Sequence, residues 1–240
     1  MKRGRSGSTH LDTQTAYFAE RRPIRMQPVD TPYIDRHFSE VAQACGLQRG
    51  ATVCEWGSGL GRFSRLLTAH GARVTAIELS PTLAAESRAH LGGEDGFRVV
   101  VGDILSTLPE LGQTFDVVLG FFVLHHLRGL ERYFRAAARA LRPGGRVAFA
   151  EPNPYNPLFP VQISLTPGMR WRAEAGIYAL RPHLIRRAAA AAGFCRVDIT
   201  PYGALPRQLY NGLARFRRER TLERFVPRAL RPFQTIVAER

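Results

Sequence analysis

The chain has 240 residues, 45% of them hydrophobic and 10% aromatic, with a formal net charge of +14. That length and composition suit one domain with a full core and exclude wholesale disorder. Every basic residue except Lys2 is an arginine, which suggests a compositional bias and weakens the inference from charge to a nucleic acid or another anionic partner. The three cysteines, Cys45, Cys54 and Cys195, form no CxxC pair, which excludes a disulfide framework and zinc-site spacing. No charged-then-apolar leader opens the sequence, and the longest apolar run, near Val117 to Leu127, is too short to span a bilayer. The expected location is cytoplasmic.

In chain order, residues 1–30 begin with a loose, basic tail ("MKRGRSGSTHLD"), and 31–240 read as the single domain. A helical pattern runs from about Pro32 to Cys45, with Ile34, Phe38, Val41 and Ala42 as its apolar positions and Gly46 as its stop. Short apolar strands then alternate with amphipathic helices. "ATVCEW" is strand-like, "LGRFSRLLTAHG" helix-like and "RVTAIEL" a strand, and a helix starts at Ser80-Pro81. "FRVVVGDI" and "FDVVLGFFVL" follow as strands, "LERYFRAAARAL" as a helix stopped by Pro143-Gly144-Gly145, and "RVAFAEP" as a strand. This alternation predicts βαβ units and a doubly wound, parallel α/β sheet.

Two stretches leave that rhythm. Residues 152–181 carry five prolines between Pro152 and Pro167, which argues against a regular helix and for an ordered lid. Residues 203–230 lie between a strand at 195–201 and the last strand at 233–239. There Leu209, Leu213, Phe216 and Arg220 fall on helical spacing, a basic amphipathic insertion that either lies on the core or walls a substrate.

The most informative stretch is "VCEWGSGLGRF" at 53–63. A strand ends in Glu55, and Gly57, Gly59 and Gly61 turn the chain at the carboxyl edge, where open α/β sheets bind ligands. A dinucleotide loop would place glycine at 62, but arginine stands there, and a carboxylate ahead of the loop would repel pyrophosphate. The same carboxylate suits a ligand with a cationic amino group, such as S-adenosylmethionine. Glu78 ends the second strand 17 residues after Gly61, about where an acid reaches two ribose hydroxyls. Asp103, after Gly102, can accept from an adenine amino group, with Leu79 and Ile104 flanking the ring.

Together these residues resemble the class I, Rossmann-like S-adenosylmethionine-dependent methyltransferases of the bacterial small-molecule type. The resemblance lies in the loop 53–61, Glu78, Gly102-Asp103, the fourth strand and "LRPGGRVAFAEP" at 141–152. It implies a mostly parallel seven-stranded sheet with an antiparallel last strand, and the two insertions, 152–181 and 203–230, as a cap over a small-molecule acceptor. It further implies S-adenosylmethionine as cofactor, S-adenosylhomocysteine as product, and contacts to the cofactor from Phe121 and from Tyr17 in the covering segment. His125 and His126 leave the strand toward different sides, so at most one faces the cleft as a general base. Glu151, at the tip of the fifth strand, either caps a helix or orients the acceptor. No nucleophilic residue is required, because in-line methyl transfer needs alignment, exclusion of water and removal of a proton. The arginine-rich surface keeps an RNA or protein acceptor open, and the fold also admits reactions without methyl transfer, such as cyclisation.

Overall fold

The computed structural model describes residues 31–165, 171–205, 210–211 and 219–240. Helix α1 (Pro32–Cys45) begins at Thr31, whose hydroxyl accepts from the Ile34 N–H, and ends at Gly46 in the left-handed region. There follow β1 (Thr52–Trp56), α2 (Arg62–Ala69), β2 (Arg73–Glu78), α3 (Pro81–Leu91), β3 (Phe97–Val101), α4 (Ile104–Glu110) and β4 (Phe115–Phe121). A 3-10 turn at Leu124–His126 leads into α5 (Leu130–Ala140) and β5 (Leu141–Pro152). Beyond it lie α6 (Leu158–Leu165), α7 (Trp171–Glu174) with a 3-10 segment at Ala175–Leu180, and α8 (Pro182–Ala191). The chain closes with β6 (Arg196–Tyr202), α9 (Glu219–Glu223), a 3-10 turn at Arg228–Leu230 and β7 (Phe233–Glu239).

The seven strands form one sheet in the order β3-β2-β1-β4-β5-β7-β6. Every neighbouring pair is parallel except those of β7, which runs antiparallel to β5 and β6. Because β1 lies between β2 and β4, the strand order reverses at its carboxyl end, and a crevice opens there. Helices cover both faces, so the central strands are apolar on both sides. One face buries Trp56, Phe115, Phe134 and Phe149, and the other buries Ile34, Phe63, Leu67 and Leu119.

Three features depart from the sequence pattern. Pro143, Gly144 and Gly145 do not separate a helix from a strand: β5 starts at Leu141, and its register on β4 jumps from Phe115↔Leu141 to Val117↔Arg146 across a bulge. The proline-rich lid is partly helical, since Pro160 falls in the first turn of α6, where a missing N–H costs no intrahelical bond. Helices α4 and α8 go beyond the expected elements, α4 despite Pro109 in its last turn. Of the basic insertion, Leu209, Leu213 and Phe216 lie outside the described residues, while Arg220 is exposed in α9. No helix among the described residues is long and apolar enough to cross a membrane.

Candidate functional site

At the end of β1 the chain turns through Gly57, Gly59 and Gly61, with φ of 66°, 56° and 82°. All three lie in the left-handed region that side chains disfavour. A Cβ at 57 would stand 2.9 Å from Val123 Cγ2, and one at 61 would stand 2.6 Å from Ser87 Oγ. Backbone shape thus favours glycine at all three positions, and close packing adds to it at 57 and 61.

Glu55 is buried, and its Oε2 accepts from the Ser64 hydroxyl of α2 at 2.5 Å. Burial pushes its carboxyl up to about 7; the Ser64 bond opposes the rise and the nearby Glu78 carboxylate adds to it. Glu78 is also buried. Its Oε2 accepts from the Gly59 N–H at 2.8 Å and its Oε1 from the Ser80 N–H at 2.9 Å. Burial raises its pKa against those bonds. The acid of β2 therefore ties down the glycine turn of β1, a contact between residues 19 apart in sequence. Within the turn, the Ser58 hydroxyl is buried without a hydrogen-bond partner among the described residues. Two buried carboxylates around an unpartnered hydroxyl make a set that fits a cationic ligand bearing hydroxyls. Asp103 caps α4, its Oδ2 accepting from the Leu105 N–H at 3.0 Å, beside the buried Ile104, and Leu79 is half-buried. Tyr17 lies outside the described residues.

Phe121 lies at the end of β4. Its ring stacks on Phe63 at 3.8 Å and 8° and is buried in the core, so only its main chain is left to meet a cofactor. Phe122 is the one non-glycine among the described residues with positive φ, at 58°. Its N–H donates to the Ala150 carbonyl at 2.8 Å. That turn sets its ring edge-on to His37 at 4.9 Å and to Phe233 at 5.7 Å. Tyr33 packs edge-on against His37, Phe233 and Tyr210. Beneath them His37 Nδ1 and the Tyr202 hydroxyl are hydrogen-bonded at 2.6 Å. A half-buried aromatic wall of Tyr33, Phe122, Tyr210 and Phe233 thus stands at the carboxyl edge on the α1 side. Sequence reasoning missed Tyr33 and His37, whose i,i+4 spacing on α1 was the available signal.

The histidines divide. His125 is 5% exposed; its Nδ1 lies 2.6 Å from Glu151 Oε2 and its Nε2 3.5 Å from Glu174 Oε2. His126 is half-buried, its ring 4.0 Å from that of His125. Glu151 is fully buried, and its Oε1 accepts from the Val123 and Leu124 N–H groups at 2.8 and 2.6 Å. Of the two roles open to it, this is the capping geometry.

The two insertions meet at their bases. Asn153 Nδ2 donates to the Arg228 and Arg231 carbonyls, and Asn156 Nδ2 to the Leu230 carbonyl. The second insertion also holds α1: Asn211 Oδ1 accepts from the Tyr33 N–H, and Arg36 pairs with Glu223 at 2.7 Å. Among the aromatics of the first insertion, Phe159 is buried with Ile163 and Ile177, while Tyr155, Trp171 and Tyr178 are exposed.

The sequence pattern of the family described as "Methyltransferase domain" matches residues 54–149. A demethylmenaquinone methyltransferase from Tropheryma whipplei is 32% identical over 120 residues, 49% of this chain and 48% of that protein. A ubiquinone biosynthesis O-methyltransferase from Methylobacterium nodulans is 32% identical over 126 residues, 50% of each chain. The chain spans about half the length of these curated relatives. Among solved structures, magnesium protoporphyrin IX methyltransferase from Synechocystis, with S-adenosylmethionine bound, superposes over 99% of this chain and 100% of that one. The TM-score is 0.62 at 16% identity, a likeness of fold.

Proposed function

We propose, for a chain that belongs to the class I, Rossmann-like S-adenosylmethionine-dependent methyltransferases, that it transfers a methyl group to a planar or apolar small-molecule acceptor. The observation that carries the reading is the pair of buried acids, Glu55 and Glu78, bracketing a left-handed glycine turn. When bound, S-adenosylmethionine supplies a methyl group made electrophilic by its sulfonium.

The chain's own residues divide the remaining work. Glu55 receives the ammonium end, and the peptide groups of 57–61 with the main chain of Phe121 lie along it. A carboxylate has about four lone-pair positions. Two of those on Glu78 serve the Gly59 and Ser80 N–H groups, which leaves two for a pair of ribose hydroxyls. Asp103, Leu79 and Ile104 take the adenine, and Tyr17 is proposed to cover it. The wall of Tyr33, Phe122, Tyr210 and Phe233 offers flat apolar surface to the acceptor, in keeping with relatives named for menaquinone and ubiquinone precursors. The proton-accepting role falls to His126, the half-buried member of the pair, with His125 and Glu151 holding the turn that carries it.

Calorimetry with S-adenosylhomocysteine tests the cofactor, with one-to-one, micromolar binding expected and none for NAD. NAD binding without S-adenosylhomocysteine binding would sink the reading. Labelled methyl from S-adenosylmethionine, offered with demethylated quinones or with total RNA, tests the acceptor. Label in the quinone fraction is expected, and label confined to RNA would replace the acceptor class.

A further inference from the structure

A buried histidine that touches two carboxylates on different elements raises a question the methyl-transfer chemistry does not answer. His125, Glu151 and Glu174 have side chains 4%, 0% and 10% exposed, so the cluster is shielded from water. Each partner comes from a separate part of the fold: His125 from the turn after β4, Glu151 from the end of β5, and Glu174 from α7 in the first insertion.

The contacts on the two ring nitrogens bear on the charge state: Nδ1 is hydrogen-bonded to Glu151 at 2.6 Å, and Nε2 faces Glu174 as an ion-pair contact at 3.5 Å. A neutral imidazole has one N–H, so it could donate to one carboxylate only and would turn a lone pair toward the other. Only an imidazolium donates on both sides. Burial pulls the His125 pKa down, but the Glu151 carboxylate and then Glu174 outweigh it and lift it to about 9. Glu151 cannot swing away, because its other oxygen accepts from the Val123 and Leu124 N–H groups. Among the described residues the titratable groups facing His125 are Glu151 from β5, Glu174 from α7 and the His126 ring on its own turn.

The backbone carries the same message. A Cβ at Gly176 would fall 1.8 Å from the His125 carbonyl oxygen, so the segment after α7 lies directly on the turn. The far end of that segment is pinned separately, since Gln234 Nε2 donates to the Leu180 carbonyl at 3.1 Å. At the near end Glu174 adds a charged contact to the turn, beside the packing of Ile177 against Phe159 and Ile163.

We infer that His125 is a positioning residue: a charged rivet that holds the segment 171–180 down over the ends of β4 and β5 and so shapes the acceptor's enclosure. A proton-transfer group must gain and lose its proton near the working pH, and an imidazolium held between two carboxylates does neither. A histidine whose pKa is raised on folding contributes stability that is complete below its ordinary value of about 6.5 and is lost as pH rises through the folded value. The segment therefore loosens as pH rises through about 9. Only the acceptor arm of this inference rests on the methyltransferase reading.

Hydrogen exchange on the full chain tests the rivet without turnover. Amides of 171–180 are followed at pH 7 and pH 10, corrected for intrinsic rates and referenced to α8. The expected result is at least a tenfold loss of relative protection at pH 10, and low protection at both pH values in Glu174→Gln. That variant keeps side-chain volume at a site that is not fully buried, so folding survives even if His125→Asn does not fold. In the kinetic arm, Glu174→Gln raises the acceptor KM about fivefold or more, and the loss falls in KM rather than in kcat. Protection of 171–180 that ignores both pH and Glu174→Gln overturns the inference. So does a His125→Asn enzyme with wild-type exchange and acceptor KM but a collapsed kcat, the signature of a base. Exchange that behaves as expected in a chain binding no S-adenosylmethionine supports the rivet and defeats the methyltransferase reading alone.

Discussion

Replacing Glu78 by alanine removes an acceptor that serves two purposes. In the structure its two oxygens hold the Gly59 and Ser80 N–H groups at 2.8 and 2.9 Å, and the residue is 5% exposed. Each bond to a charged acceptor contributes about 1.5–3 kcal/mol, but the raised pKa of Glu78 shows that burial takes part of this back. A net destabilisation of about 2–4 kcal/mol follows, with both N–H groups left without acceptors. For a chain of this size that corresponds to a fall in Tm of roughly 4–16 °C. Binding suffers as well, because the lone pairs proposed for the ribose vanish: a loss of about 2–4 kcal/mol weakens S-adenosylhomocysteine affinity by roughly 30- to 900-fold. Thermal unfolding by circular dichroism, with and without ligand, reads both effects in one experiment. The wild type should show a ligand-induced rise in Tm, and Glu78→Ala should show a lower Tm and little rise. A variant whose Tm stays within 1 °C of wild type would refute the tie between Glu78 and the glycine turn, whatever happens to binding.

Gly61→Ala should lower Tm and weaken S-adenosylhomocysteine binding, because it places a side chain at φ 82° against Ser87 Oγ; left-handed strain alone costs about 1–2 kcal/mol, and unchanged calorimetry would contradict it. With Glu55 raised to about 7, the ligand-free site is partly protonated at neutral pH, while a cationic ligand favours the ionised form. Affinity for S-adenosylmethionine should therefore rise between pH 6 and 8, by at most about tenfold per pH unit, with proton release visible as buffer-dependent heats. A flat profile over that range removes Glu55 from the cationic end. For the acceptor, Trp171→Ala or Tyr210→Ala should reduce turnover while S-adenosylmethionine affinity stays within about twofold, or roughly 0.4 kcal/mol; if both leave turnover unchanged, the insertions do not line the acceptor site.

The alternating periods of the chain were readable because helices cover both faces of the sheet, which makes each strand a short apolar run. Glu55, Glu78 and Asp103 could be placed because Glu55 stands one residue before the end of β1, Glu78 ends β2 and Asp103 caps α4. The bond from Gly59 to Glu78 was not, since only the parallel pairing of β1 with β2, Trp56 against Ile77, brings the two together. For Phe121 the structure favours the core side chain: it shares the face of Val117 and Leu119, so its ring turns in beside Phe63. Prolines concealed α6, because Pro160 weighs against a helix only beyond the first turn. The aromatic wall was hidden in another way, as Tyr33 and His37 look like an ordinary helix face until Phe122 and Phe233 close on them.

The clasp formed by Asn153, Asn156, Asn211 and Arg36 has a consequence for engineering. The proposed acceptor role of the insertions invites loop grafting, in which one insertion is exchanged with that of a relative. Here the second insertion and the turn after it supply the hydrogen-bond acceptors for the first insertion's asparagines, and the second also anchors α1 beneath the aromatic wall. A graft of 152–181 alone would leave the buried amide of Asn153 without its register against 228–231, or those carbonyls without a donor. The transplantable unit is therefore discontinuous, comprising α1 and both insertions, and chimeras that move all three together should fold where single-loop chimeras fail.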